Sequence, residues 1–276
     1  MEFHFHRSYC GPLKLIVFDW AGTTVDYGCI APAAVFVEGF RRRGVEISLH
    51  EARGPMGMEK RAHIATLGAD PAIAARWHAV HGRAMQPADV DALYADFVPL
   101  LLDVLAQHSA LIPGTLETVA ALAERGIAVA GSTGYFVEAM QVVAQSAAAQ
   151  GYAPAFTVSA NQVPAGRPAP WMIYRAMEAL GVYPPQAVVA VGDTVPDVQA
   201  GLNAGVWTVA FAQSGNEVGL TQAEFSALAP SDQTRRVRQA RATLAAAGAH
   251  YVVDGIWDLL PVLDEIGARL RRGQQP

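Results

Sequence analysis

The sequence predicts an α/β protein, a doubly wound parallel sheet interrupted after its first strand by an inserted α-helical cap domain. Three observations carry that prediction. Short apolar runs of strand length recur along the chain, separated by stretches with helical periodicity, which is the alternation of βα units. Between residues 32 and 108 the strand signal vanishes and helical periodicity alone remains. Polar residues with chemical potential stand at the ends of successive apolar runs, where open α/β sheets collect their ligands.

The first run, 13–18, ends at Asp19 and reads as a buried parallel strand. Runs at 127–130, 156–158, 187–191 and 207–211 supply further strands, with helices expected at 116–124, 135–149, 171–180 and 195–204. The stretch after the first strand divides into helices at 33–43, 59–67, 71–81 and 89–106. Gly44, Gly54-Pro55, Gly68 and Pro87 mark its internal joints. The chain leaves the core through 27–31 and returns through 107–113. The expected division is therefore 1–27 with 108–276 for the catalytic core, and 28–107 for the cap. Toward the C-terminus, helix 231–247 carries Arg235, Arg236, Arg238 and Arg241 on what reads as a solvated face. An edge strand at 250–253 and a closing helix at 256–271 follow. Residues 1–12 receive no role, and His4 and His6 read as a loose tail rather than a metal site.

A chain of 276 residues, 52% of them hydrophobic, has ample material for a large core and an insert. The net charge of −5 argues against nucleic acid or an anionic membrane surface as partner, so an anionic substrate must meet a local cluster of donors. Cys10 and Cys29 form neither a metal-ligand pattern nor a disulfide framework, which indicates a reduced, cytoplasmic setting. The N-terminus lacks the basic region and apolar run of a signal peptide, and the most apolar stretches are broken by charge too soon to span a bilayer.

The residues at the strand ends answer the needs of phosphoryl transfer. Asp19 is a carboxylate that can attack phosphorus and form an acyl phosphate. Asp19 and Asp193, after different strands, make an oxygen site suited to Mg²⁺, which screens the repulsion between anionic nucleophile and anionic substrate. Thr133 with the backbone N–H groups of Gly134 and Tyr135 stands where a helix begins, an anion cradle. Arg167 offers a fixed positive fork. Asp197, one turn beyond Asp193, is placed to hold a metal-bound water or to orient Arg167, with Thr194 between the two acids. Singly, each has an ordinary reading as a helix cap, a turn or a surface ion pair. The ordered set at successive strand ends is what points to chemistry.

These residues stand in five phrases: FDWAGTTVDYGC at 18–29, Pro55-Met56-Gly57 with Lys60 and His63, Thr133-Gly134-Tyr135, VPAGRP at 163–168, and GDTVPD at 192–197. From about residue 13 to 205 the chain resembles the haloacid dehalogenase superfamily, and within it most closely the phosphonoacetaldehyde hydrolase, or phosphonatase, family. Superfamily phosphatases expel an alkoxide and carry an acid two residues after the nucleophile. Here that position is Ala21, which offers only a backbone carbonyl to a metal. Lys60 meets a different demand: an amine turns an aldehyde into an imine, and the protonated imine accepts the electron pair of a breaking phosphorus–carbon bond.

The resemblance thus implies Mg²⁺-dependent hydrolysis of phosphonoacetaldehyde to acetaldehyde and phosphate. Asp19 takes the phosphoryl group, Lys60 forms the Schiff base, and Asp19, Ala21 and Asp193 hold the metal. It places Met56, Cys29 and Tyr135 against the same pocket, with His63, on the helix face of Lys60, shuttling protons. It further implies a homodimer through the cap, for which Trp77 and the apolar cap faces are the contact candidates. The amine needs a pKa lowered by burial or a nearby cation, so Glu59 is expected to point away from it. On composition alone Lys60 is an exposed helix residue, His63 a surface or half-buried histidine, and Met56 and Cys29 are core. Two other functions stay open: an ordinary phosphatase or sugar-phosphate mutase of the superfamily, and a non-catalytic binding protein that kept the fold.

Overall fold

The computed structural model describes residues 8–276, so His4 and His6 lie outside the described residues. Six strands form one all-parallel sheet: β1 (Leu15–Phe18), β2 (Ala128–Thr133), β3 (Phe156–Ser159), β4 (Val188–Gly192), β5 (Trp207–Phe211) and β6 (Tyr251–Val253), in the order β3-β2-β1-β4-β5-β6. The order reverses at β1, which pairs with β2 on one side and β4 on the other, Phe18 standing level with Gly131 and Val191. A doubly wound sheet opens its crevice at such a switch point, beyond the carboxyl ends of the strands. β1 and β4 are buried along their whole length and carry almost nothing but aliphatic and aromatic residues, as a strand covered on both faces requires.

Five helices lie between β1 and the next core helix: α1 (Ile30–Arg42), α2 (Leu49–Arg53), α3 (Lys60–Ala69), α4 (Pro71–His81) and α5 (Pro87–Leu105). The longest, α5, buries Val90, Leu93, Phe97, Leu101 and Leu105, a stripe spaced by three and four residues that faces α1 and α3. Phe97 stacks on Phe36 of α1 with ring centroids 4.5 Å apart; truncating such a buried ring to alanine costs about 3–5 kcal/mol. The core continues with α6 (Thr115–Glu124), α7 (Val137–Ala149), α8 (Trp171–Ala179), α9 (Val195–Ala204), α10 (Gln222–Ala227), α11 (Pro230–Ala246) and α12 (Leu259–Arg271). The two connecting segments are tied together where they cross, Asp26 N–H donating to Ala110 O at 3.0 Å and Ile112 N–H to Thr24 O at 2.9 Å.

The structure departs from the sequence reading at several joints. Gly68 lies inside α3; the break comes at Asp70, whose carboxylate accepts from the N–H groups of Ala72 and Ile73 while Pro71 starts the next helix. Pro87 begins α5 in the same way. Two short helices were not anticipated, α2 and α10, each started by a capping box, Ser48 with Glu51 and Thr221 with Glu224. Tyr135 and Phe136 precede α7 rather than forming its first turn. Trp77 is not a surface residue: at 1% exposure it packs between Phe40 and His81 inside the helical insert, so it offers no contact face to another subunit. Among the described residues no helix is long and apolar enough to cross a membrane.

Candidate active site

The site is assembled from the four strand ends that flank the switch point. β1 delivers Asp19, and the chain then folds back within six residues, the N–H groups of Thr23, Thr24 and Val25 all donating to Trp20 O. β4 delivers Asp193 as α9 begins. Thr194 caps that helix, and the Asp197 carboxylate returns to the Thr194 N–H and hydroxyl, a capping box that fixes Asp197 in the first turn. Oxygens of Asp19, Asp193 and Asp197 come within 4.8 Å of one another, all three buried.

Arg167 neutralises two of these acids. Its Nη2 donates to Asp19 Oδ1 at 2.8 Å and to the carbonyl and hydroxyl oxygens of Ser132, while Nη1 pairs with Asp197 Oδ1 at 2.8 Å. Asp193 is left without a cationic partner among the described residues and is held by neutral donors alone, the Thr23 hydroxyl and the Asn216 N–H, both at 2.8 Å. Burial first, and then the neighbouring charges of Asp19 and Asp197, push its pKa well above the usual carboxylate range. Burial also pushes Asp197 up, to about 6, against the opposing pull of Arg167. A third carboxylate kept this close to two others without a cation of its own is what a divalent ion would relieve. Hard oxygen donors in this number fit Mg²⁺.

The cavity beside the acids is small, about 20 Å³, and brings together nearly every residue singled out from the sequence: Asp19, Ala21, Cys29, Met56, Lys60, Thr133, Gly134, Tyr135, Arg167 and Thr194. Lys60 is the first residue of α3 and is only 3% exposed, against the expectation for a helix lysine. Its Nζ lies 5.0 Å from the centroid of the Tyr135 ring and 5.7 Å from that of Phe36, and it makes no ion pair among the described residues. Burial lowers its pKa, assisted by the charge of Arg167 and opposed by Cys29, Asp19 and, least, Glu59. Glu59 does turn away, as expected: its carboxylate caps α3 on the N–H groups of Arg61 and Ala62.

The insert reaches the strand ends through two glycines that admit no side chain. Gly57 has φ +90°, and a Cβ there would fall 2.1 Å from Thr194 Oγ1; a Cβ on Gly134 would fall 2.5 Å from Met58 O. This close approach is what brings Lys60 into one cavity with Asp19.

Two expected features are placed differently. His63 does not line the cavity. It is buried behind Phe36, stacked at 3.8 Å between centroids, with Nε2 bonded to Ala52 O at 2.9 Å. Burial, then the charge of Lys60, holds its pKa well below the usual value, so the ring is neutral and Nε2 carries the proton that Ala52 accepts. The expected proton transfer, directly or through water, would therefore have to start from a ring that stands behind Phe36. Likewise the Tyr135 N–H is taken by Thr133 Oγ1 at 3.1 Å, so of the expected anion cradle it is already committed. Conversely, Ser132, Thr23 and Asn216 hold the acidic cluster together without having been assigned a part. Thr23 stood inside a quoted phrase and Ser132 directly before one, whereas Asn216 sits in a loop with no motif signal.

Comparison with known proteins agrees with this geometry. Residues 13–205 match the family model described as haloacid dehalogenase-like hydrolase. A phosphonoacetaldehyde hydrolase of Nitratidesulfovibrio vulgaris is 47% identical over 98% of this chain and 96% of its own. One of Bacillus cereus is 43% identical over 92% and 96%. The crystal structure of a phosphonoacetaldehyde hydrolase-like protein from Oleispira antarctica superposes with a TM-score of 0.97 at 39% identity, covering 100% of both chains. The chain is an enzyme that belongs to the haloacid dehalogenase-like hydrolases and, within them, to the phosphonoacetaldehyde hydrolase family.

Proposed function

From that family membership we propose that the protein hydrolyses the phosphorus–carbon bond of phosphonoacetaldehyde, giving acetaldehyde and phosphate. The observation that carries the reading is the pairing of a buried, unpaired Lys60 with Asp19 in one small cavity, while Ala21 stands where an acid would protonate an alkoxide. Lys60 Nζ, neutral for part of the time because burial lowers its pKa, attacks the aldehyde carbon, and loss of water leaves a protonated imine. An Asp19 carboxylate oxygen attacks phosphorus, and the electrons of the phosphorus–carbon bond pass into the imine, so an enamine departs. Protonation of the enamine carbon and hydrolysis of the imine return Lys60 and release acetaldehyde. Water then hydrolyses the aspartyl phosphate.

Asp19, Asp193 and the Ala21 carbonyl would hold Mg²⁺, which when bound supplies charge neutralisation between the anionic carboxylate and the anionic phosphonate. Arg167, Thr133 and the Gly134 N–H orient the phosphoryl oxygens; Asp197 fixes Arg167, and Thr194 fixes Asp197. Met56, Cys29 and Tyr135 close the cavity around the two-carbon aldehyde and exclude water. His63 supports Lys60 through Phe36. Residues 28–107 act as the cap whose closure brings Lys60 to Asp19. The setting is cytoplasmic, in keeping with two free cysteines, and the enzyme is a homodimer through the cap, where exposed Leu49 and Val80 are the apolar residues available once Trp77 is excluded.

Borohydride reduction with and without phosphonoacetaldehyde, followed by peptide mass mapping, tests the reading. Substrate-dependent inactivation with the label on Lys60 is expected. A label elsewhere, or faster turnover of a simple phosphate ester than of phosphonoacetaldehyde, would replace this mechanism by that of an ordinary phosphatase.

A further inference from the structure

Arg53, the last residue of α2, has no part in the chemistry above, yet it joins three separate stretches of the chain. Nη1 donates to Gly28 O at 2.8 Å, to Cys29 O at 3.2 Å and to Asn216 Oδ1 at 3.1 Å, and Nη2 donates to Gly219 O at 3.1 Å. Asn216 answers, its Nδ2 donating to Arg53 O at 3.3 Å. The backbone N–H of this same asparagine donates to Asp193 Oδ2. The contact is close: Gly219 has φ +64°, and a Cβ on it would lie 2.8 Å from the guanidinium carbon. Among the described residues no carboxylate pairs with Arg53, so its charge is spent on carbonyl oxygens. A planar fork can satisfy several of these at once and an ammonium cannot.

The acceptors divide by region. Gly28 and Cys29 form the connecting segment that enters α1, whereas Asn216 and Gly219 belong to the loop after β5. We propose that Arg53 is a positioning residue, a latch that holds the helical insert closed and, through Asn216, fixes the loop whose N–H orients Asp193. Closure of the cap and the setting of Asp193 then form one linked equilibrium: whatever orders the 214–219 loop favours the closed state, and closure orders the loop in return. Arg53 needs no contact with substrate for this. The link to Asp193 rests on the function proposed above; the latch itself does not.

Hydrogen exchange of the full-length protein, without substrate or added metal, reads the latch directly, and steady-state kinetics with phosphonoacetaldehyde read its consequence. Arg53→Lys is expected to speed exchange in 54–60 and in 214–219 together, while the rest of the insert keeps wild-type protection. KM should rise about tenfold with a much smaller change in kcat, since the competent closed state is less populated before binding. Asn216→Ala should reproduce both effects, and the double variant should be no worse than Arg53→Lys alone, because one link is being cut. Wild-type exchange and KM in Arg53→Lys, additive effects in the double variant, or loosening spread over the whole insert with KM unchanged would each overturn the proposal, the last by making Arg53 a packing residue only. If borohydride fails to trap Lys60 in the wild type, the reaction is wrong and the exchange result alone decides the latch.

Discussion

Two electrostatic regimes face each other across one small cavity. On the strand-end side, charge is held by pairing: Arg167 lies between Asp19 and Asp197, and Asp193 is fixed by neutral donors in the position a cation would occupy beside. On the helical side, Lys60 is held by the opposite means, under aromatic rings with no counter-ion among the described residues. The core therefore sets charge against charge, and the insert lowers the pKa of its amine by burial. One fold needs both conditions within a single site, and it obtains them by building the two walls from parts of the chain that fold as different layers. An aspartate nucleophile and an amine nucleophile placed on the same wall would form an ion pair and disable each other.

The largest expected effects come from removing either side. Asp19→Ala should stop phosphate release, a loss of about 10⁴-fold or more in kcat. Lys60→Arg should abolish carbon–phosphorus cleavage to the same extent, since a guanidinium stays protonated and cannot form an imine. The two losses should differ in what survives: Asp19→Ala still traps aldehyde at Lys60 under borohydride, whereas Lys60→Arg traps none. Turnover above one-hundredth of wild type in either variant would reject that residue's role.

A smaller effect is expected from disturbing how the walls meet. Gly57→Ala places a methyl group where Thr194 Oγ1 already stands, and forces a positive φ on an alanine. The insert would then seat short of its closed position, and a displacement of this order costs roughly 10²-fold in kcat/KM. Slower borohydride trapping at Lys60 should accompany it. Unchanged trapping would show that contact between Gly57 and Thr194 does not govern closure.

This contrast also explains what could be read from the chain beforehand. The strand-end groups were legible because Asp19, Thr133 and Asp193 stand at the ends of apolar runs and Arg167 follows one after a short loop; the structure brings the four together. Lys60 was legible through chemistry, as the counterpart of Ala21, although nothing local announced its burial. What the chain does not announce is contact across distance. Asn216 and Arg53 meet although they stand 163 positions apart, in an irregular loop and a short helix, neither with a periodicity to detect. Trp77 looked available because exposure depends on what α1 and α4 do together, and for His63 helical spacing sets its face but not the ring of Phe36 that stacks on it.

The smallest effect concerns stability, and it separates the two walls most cleanly. Burial lowers the pKa of Lys60 relative to an unfolded chain, where the ordinary lysine value of 10.5 applies. Below the lowered value both states carry the proton, and the folded state bears the full cost of a buried, unpaired charge. As pH rises between the lowered value and 10.5, the folded protein releases the proton before the unfolded one, so the unfolded state binds more protons and stability climbs. Lys60 is therefore a destabilising residue at neutral pH whose cost fades in alkaline solution. Lys60→Met, similar in length and apolar, should raise the melting temperature by about 2–4 °C at neutral pH if it relieves ~1 kcal/mol, with the gain shrinking toward alkaline pH, while activity is lost. Calorimetry across that range checks it. A variant less stable than wild type at neutral pH, or a gain that does not change with pH, would mean that the amine is solvated or paired in the folded protein, and the proposed contrast between the walls would fall with it.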